Sequence, residues 1–237
     1  MSEVLDAFRS GVALDLITLA QLHDRELDDE TVSSLRADRF PESLAFRLES
    51  ARAQALRDAL TLIVQDSDLD AGQRDELAAD FASIYLNHGV GASPCESVWL
   101  DQDGLTMQKP MFEVREAYAQ LGLSAPDWRK RPDDHLVHQL QFLAALFDHE
   151  DASTLAVAAR FLDEHTLRWV PDFANRVVQR AATGFYTGLA MLTSLYLDEL
   201  RDTLVLILDE PRPTAEEIVQ RLKQAADEVP LPMPSAY

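Results

Sequence analysis

The stretch RPDDHLVHQLQFLAALFDH, Arg131 to His149, decides how the chain is read. It opens with a proline, two aspartates and a histidine and continues as an apolar run. Asp133 or Asp134 is expected as the N-cap, because a carboxylate there accepts from the unpaired first-turn N–H groups and faces the positive end of the helix dipole. His135 then falls in the first turn. Leu136, Leu140, Leu143, Ala144 and Phe147 recur at the spacing of one buried helical face, and Phe142 and Leu146 widen it, so this helix belongs at the centre.

The same period is found on both sides of it. Ser2 can cap a first helix carrying Val4, Phe8, Val12, Leu16 and Leu19, after which HDRELDDE from His23 reads as a turn or solvated helix end. A helix is predicted from about Pro41 to Gln65, with Leu44, Leu48, Ala51, Ala55, Leu56, Ala59 and Ile63 on its inner side. DSDLDAG reads as a loop, and from Gln73 a further helix places Leu77, Phe81, Ile84 and Tyr85 on one face and stops near Asn87. Residues 87–110, with three of the eight glycines and two prolines, form the longest irregular segment, and such segments carry function or mobility. A short helix from Met111 to Leu121 ends at Gly122 in the C′ position.

Beyond the central helix, Ser153 or Thr154 starts another with Leu155, Ala158, Ala159 and Leu162 inward. Pro171 suits a helix's first turn, and a single buried stripe is predicted through Phe173, Val177, Ala181, Gly184, Phe185, Gly188, Leu189, Leu192 and Tyr196. Gly184 and Gly188, four apart on that stripe, would admit a second helix at close range. Thr214 and Glu217 form a capping box for a short last helix, and VPLPMPSAY is expected to be extended or disordered. With no period-2 run, the class is all-α: a bundle of about ten helices, with an irregular loop around 87–110 and a hinge-like link at 122–132. Residues 1–209 are expected as one domain, with 210–237 as a short helix and tail.

Composition removes several functions. A net charge of −20, from 41 acids and 21 bases, repels nucleic acid and anionic lipid surfaces and favours a basic partner or none. The single Cys95 excludes an internal disulfide and a cysteine-rich metal site. None of the six histidines has a glutamate three residues earlier, against a diiron bundle site; His135 and His138 alone share a face. A phosphate-binding loop and a GxSxG elbow are absent, Gly89 and Gly91 lack the third glycine of a dinucleotide fingerprint, and Cys95 is only a sequence neighbour of His88. The start MSEVLDAFRSG lacks the basic and apolar regions of a secretory signal, and Ala181 to Leu197 reads as a core helix and not a bilayer span, so a cytoplasmic location is expected.

Several motifs then occur in a telling order: Phe81-Ala-Ser-Ile84-Tyr85, Pro94-Cys-Glu96-Ser97-Val-Trp99, Val114 with Tyr118, Gly122 and Leu123, then Arg131-Pro-Asp133-Asp134-His135 leading into Leu136 to Leu146. Phe161-Leu-x-x-His165, Trp169 and Phe185-Tyr186 follow. From Leu77 to Leu200 the chain resembles the TorD/DmsD/NarJ-type redox-enzyme maturation chaperones, most of all the TorD and DmsD branches. It departs from them where Arg131 stands in place of the signature glutamate and Phe81 in place of a tyrosine.

The resemblance implies a cytoplasmic, non-catalytic chaperone without a cofactor of its own. Its client would be a molybdoenzyme catalytic subunit of the dimethyl sulfoxide reductase family, held while the molybdenum cofactor is inserted, often through a twin-arginine signal peptide, so that export is delayed. On that reading Asp134 is the charge partner of leader arginines, Asp133 is secondary and His135 shapes the loop. Phe81, Ile84, Tyr85 and Trp99 form an apolar floor, with Glu96 and Ser97 beside them as contacts or braces. Monomers and domain-swapped dimers are both expected, with the link from Gly122 to Pro132 as the hinge. Two other readings are a small helical enzyme or nucleotide-dependent switch, with weak GTP binding as its sign, and a structural subunit of a respiratory complex.

Overall fold

Apolar residues at three- and four-residue spacing fold most of this chain into helices. The structure, a computed structural model, describes residues 2–65 and 70–228, leaving aside the side chains of Ser2 and of 225–228. In chain order the helices are α1 (Ser2–Asp24), α2 (Asp29–Ala37), α3 (Ala51–Gln65), α4 (Ala71–Phe81), the four-residue α5 (Ser97–Leu100) and α6 (Lys109–Ala119). Then come α7 (Leu136–Asp148), α8 (Thr154–Glu164), α9 (Val170–Arg180), α10 (Gly184–Leu208) and α11 (Ala215–Glu228). Helix α4 widens at its end into a π-type turn, Ala82–Leu86, closed at Asn87 as expected. Among the described residues there is no strand, and the all-α class holds.

Helix α7 is the central element that its sequence predicts. Leu136, Leu140, Leu143, Leu146 and Phe147 are buried, and burying a side chain of this size stabilises by about 1.5–3 kcal/mol. Helix α7 packs along α1 on one side and against α8 on another, while α10 carries α3, α8 and α9. Two buried polar ties lock the layers. Asp163 holds Arg201 of α10 through both carboxylate oxygens, at 2.8 to 3.0 Å. Asp15 of α1 accepts from Tyr196 Oη at 3.0 Å, and burial raises its carboxyl pKa.

Several expectations are corrected. Residues 41–50 do not extend α3, because carboxylates from other helices take their backbone donors: Asp15 accepts from Ala45 N and Phe46 N, both at 2.8 Å, and Glu199 accepts from Glu49 N at 2.7 Å. The inner face of α3 is Ala53, Leu60 and Val64, whereas Ala55, Ala59 and Ile63 are exposed. The long stripe from Phe173 to Tyr196 is broken into α9 and α10, since Asp80 accepts from Ala182 N at 3.1 Å and Thr183 N at 2.6 Å and so caps α10 from outside. His23, expected at a solvated end, is buried in the last turn of α1.

Other expectations hold. A Cβ on Gly188 would stand 2.5 Å from Leu60 Cδ2, and one on Gly184 would stand 2.9 Å from Ile63 Cδ1, so these two glycines are where α3 closes on α10. Gly122 has φ +69, a left-handed value that glycine adopts without strain. Thr214 and Glu217 form the capping box of α11. Asp70 and Gln73 form another at α4, which therefore starts at Ala71, inside the stretch expected as a loop up to Gln73, whereas residues 66–69, the cap at Ser2 and the tail 229–237 lie outside the described residues.

Candidate functional site

Two loops far apart in sequence meet at the start of α7. Leu136 N donates to Pro94 O at 2.8 Å and Glu96 N donates to Asp134 O at 3.1 Å, an antiparallel bridge between Cys95 and His135. This bridge turns Asp134 away from its own helix. Its Oδ2 accepts from Ser97 N, the first residue of α5, at 2.7 Å. The N-cap of α7 is therefore His135, whose Nδ1 accepts from Val137 N at 3.2 Å, and not Asp133 or Asp134 with His135 inside the first turn. Asp133 is occupied as well. Arg115 Nη2 donates to its carboxylate at 2.8 Å, and Tyr118 Oη donates to its carbonyl at 2.9 Å.

Behind the bridge lies a polar network closed to water. Glu96 Oε2 accepts from Gln139 Nε2 at 2.6 Å, and Glu96 Oε1 meets His165 Nδ1 at 3.0 Å. Trp169 Nε1 donates to Gln139 Oε1 at 3.3 Å, which sets the amide's orientation. Burial alone would lower the His165 pKa, but the carboxylate of Glu96 outweighs it and the net shift is upward. Burial is also the leading cause at Asp134, where it raises the carboxyl pKa against the lowering effect of Ser97. Among the described residues Asp134 Oδ1 has no hydrogen-bond partner.

The residues expected to face a client are thus mostly interior. Asp134, Glu96, Ser97 and Ile84 are shut off from solvent, and Phe81, Tyr85, Asp133 and His135 nearly so; Trp99 alone is partly exposed. The expected open rim and floor are corrected to a bracket with one exposed edge. Phe81 and Tyr85 stack at 4.9 Å inside the bundle, and Tyr85 Oη pairs with His23 Nδ1 at 2.6 Å, where burial lowers the His23 pKa to about 3. At the bracket's edge, Trp99 Nε1 donates to Ser93 O at 2.8 Å and Arg176 stands 5.8 Å over its ring.

Arg131, where a family glutamate would stand, forms an ion pair with Asp24 at the end of α1. The reversed charge is answered within the chain. Little covalent chemistry is available here: burial raises the Cys95 thiol pKa, which suppresses the thiolate that a nucleophile needs. His138 Nδ1 lies 3.1 Å from Pro132 O, and among the described residues no group of three or more His, Cys, Asp or Glu side chains could hold a metal. No helix among them is long and apolar enough to cross a membrane.

Sequence reasoning passed over Gln139, Asp24 and Arg115. Gln139 did leave a signal, a lone amide among the inward positions Leu136, Leu140 and Leu143, and such a residue needs a buried partner. Asp24 and Arg115 left none, since exposed-looking charges on helices are ordinary.

Comparison with known proteins bears on this arrangement. A family model described as nitrate reductase delta subunit matches residues 47–175. The chain is 30% identical over 204 residues to the chaperone protein TorD of Vibrio cholerae serotype O1 (strain M66-2), which covers 81% of this chain and 91% of that one. Chaperone protein TorD of strain El Tor Inaba N16961 is 30% identical over 193 residues, 76% of this chain and 86% of its own. That of Aliivibrio fischeri is 28% identical over 172 residues, 66% and 80% of the two chains.

Proposed function

The chain belongs to the TorD-like family of molybdoenzyme chaperones, and from that premise we propose that it binds the apo form of one catalytic subunit of the dimethyl sulfoxide reductase family, twin-arginine leader included, in the cytoplasm. Binding there lets the molybdenum cofactor enter before export. The chain is a chaperone and not an enzyme.

The observation that carries this reading is the bracket, in which segments 94–99 and 131–139 are bridged and pinned from behind by Glu96, Gln139 and His165. A bracket held this rigidly presents its exposed edge in one shape, and preorganisation of that kind lowers the entropic cost of binding. Trp99 is the contact; Asp133, Asp134, His135, Glu96 and Ser97 hold the loop that carries it, and Phe81, Ile84 and Tyr85 hold the helix behind. The charge of −20 favours a basic leader over nucleic acid or anionic lipid.

Titration calorimetry with the twin-arginine leader peptide of a molybdoenzyme subunit, together with capture of the apo and cofactor-loaded subunits, tests the reading. Trp99→Ala should weaken the peptide about tenfold, roughly 1.4 kcal/mol, at a temperature where both proteins remain folded, and the apo subunit should be captured in preference. Equal affinity for wild type and Trp99→Ala would remove the assigned contact. Equal capture of both subunit forms would remove the maturation role.

A further inference from the structure

The exposed edge of the bracket carries a side chain of the protein itself. Arg176, on α9, reaches across to α5 and the loop before it, and stands with its guanidinium carbon 5.8 Å from the centre of the Trp99 ring. Its Nη1 donates to Gly91 O at 3.3 Å. Both partners are fixed independently of Arg176. The Trp99 ring is held by its own N–H on Ser93 O, at 2.8 Å, and Gly91 belongs to a turn closed by its N–H on His88 O, also at 2.8 Å. Gly91 takes φ +65, and a Cβ built there would stand 3.5 Å from Arg176 Nη1, so the guanidinium lies against the bare side of the glycine.

The ring face and the carbonyl together form a seat for a planar cation. A guanidinium fits it better than an ammonium, because it stacks flat on an aromatic face with little hydration to lose and keeps an N–H in its own plane for the carbonyl. What holds Arg176 there is weak. In a chain with 41 acids, no carboxylate among the described residues pairs with it, and both of its contacts lie at the long end of their ranges. Another guanidinium delivered to the same seat would make the same contacts.

We propose that Arg176 is an internal stand-in for an arginine of the client's leader, filling the seat at Trp99 and Gly91 in the free chaperone and swinging out when the leader arrives. The assignment rests on the chaperone reading for the source of the arginine and on the seat for its chemistry. The leader is then read for arginine and not merely for positive charge. The free chaperone also binds it more weakly than the seat allows, since only the fraction with Arg176 displaced is competent.

The test titrates the full chain, by calorimetry at physiological salt and at a temperature where every variant is folded, with a twin-arginine leader peptide and with the same peptide carrying Lys for both arginines. Arg176→Ala should tighten the arginine peptide roughly two- to fivefold, the factor that an exposed cation–π contact represents. Arg176→Gln, which keeps more of the side chain's packing, should do the same. Arg180→Ala removes an equal charge from an exposed position one turn further along α9 and should give a smaller gain. The gain from Arg176→Ala should vanish for the lysine peptide and in a Trp99→Ala background. Unchanged or weaker binding by Arg176→Ala and Arg176→Gln overturns the proposal, the weaker result making Arg176 a contact for the client. So does a gain that Arg180→Ala equals, that the lysine peptide shares or that survives Trp99→Ala. Each of these outcomes leaves the chaperone reading standing, whereas no binding of the arginine peptide by wild type or by Arg176→Ala refutes leader binding and the stand-in together.

Discussion

Glu96 and His165, 69 residues apart in sequence, meet at 3.0 Å with both side chains closed to water. The carboxylate's other oxygen holds Gln139, so one residue ties the loop before α5 to both α7 and the end of α8. Removing it strands two buried polar groups at once.

Glu96→Ala should therefore cost about 3–5 kcal/mol in urea unfolding, the range for breaking a buried pair by deleting one partner. Glu96→Gln, which preserves shape, should cost less. The pH dependence has a definite sign. The folded-state pKa of His165 is raised, so its stabilisation is complete below the unfolded value of about 6.5 and is lost as pH rises through the folded value. The gap in stability between wild type and Glu96→Gln should narrow above neutral pH; a gap that widens would contradict the assignment.

His23 works in the opposite direction. Its ring bridges Tyr85 Oη and Thr193 Oγ1, at 2.6 and 2.9 Å, and burial lowers its pKa to about 3. A base with a lowered pKa stabilises fully above its unfolded value and loses that contribution as pH falls towards the folded one. Between pH 6.5 and 4 this group alone should remove on the order of 3 kcal/mol. Burial raises the pKa of Asp134, which acts in the contrary sense, so the quantity to measure is the difference between wild type and His23→Gln across that range.

Gly188 and Leu60 provide a packing test. With only 2.5 Å between an added Cβ and Leu60 Cδ2, Gly188→Ala should overpack the α3–α10 contact and cost about 1–3 kcal/mol. Combining it with Leu60→Ala should recover part of that loss relative to the sum of the single changes, since the two sites share one space. Strict additivity in the double-mutant cycle would show that α3 approaches α10 elsewhere.

Asp80 is predicted to control where α10 begins. Its carboxylate takes the N–H groups of Ala182 and Thr183, and hydrogen bonds to a charged group contribute roughly 1.5–3 kcal/mol. Asp80→Ala should destabilise by that order and speed amide hydrogen exchange at residues 182 and 183 more than in the middle of α10.

The bundle was legible in the sequence because helical period is local. Leu136 to Phe147 and Leu155 to Leu162 repeat their apolar positions within a few residues, so their buried faces follow without knowledge of any neighbour. The capping box at Thr214 and the glycine at 122 are local in the same way. The order of the Phe81, Pro94, Arg131 and Phe161 motifs also placed the chain in its family before any contact was known.

The limits of that reading lie where a donor and its acceptor belong to different helices. Residues 41–50 carry a helical apolar pattern, yet Asp15 and Glu199 claim three of their N–H groups. Asp134 looked like a cap for α7 and became the acceptor for Ser97, because the bridge at Cys95 had already set its backbone direction. For the same reason the acids and aromatics of these motifs suggest a surface, whereas Asp133, Asp134, Glu96, Phe81, Ile84 and Tyr85 are interior.

Residue spacing is enough to say that this chain makes helices and which faces most of them bury, because both depend on side chains a turn or two apart, while the order of its motifs along the chain carries the family resemblance. Which carboxylate meets which amide, and which guanidinium meets which ring, depends on distances across the packed bundle, as between Glu96 and His165 or between Arg176 and Trp99. Those pairings exist only once the helices have met, since the desolvation that makes each of them matter is itself produced by packing.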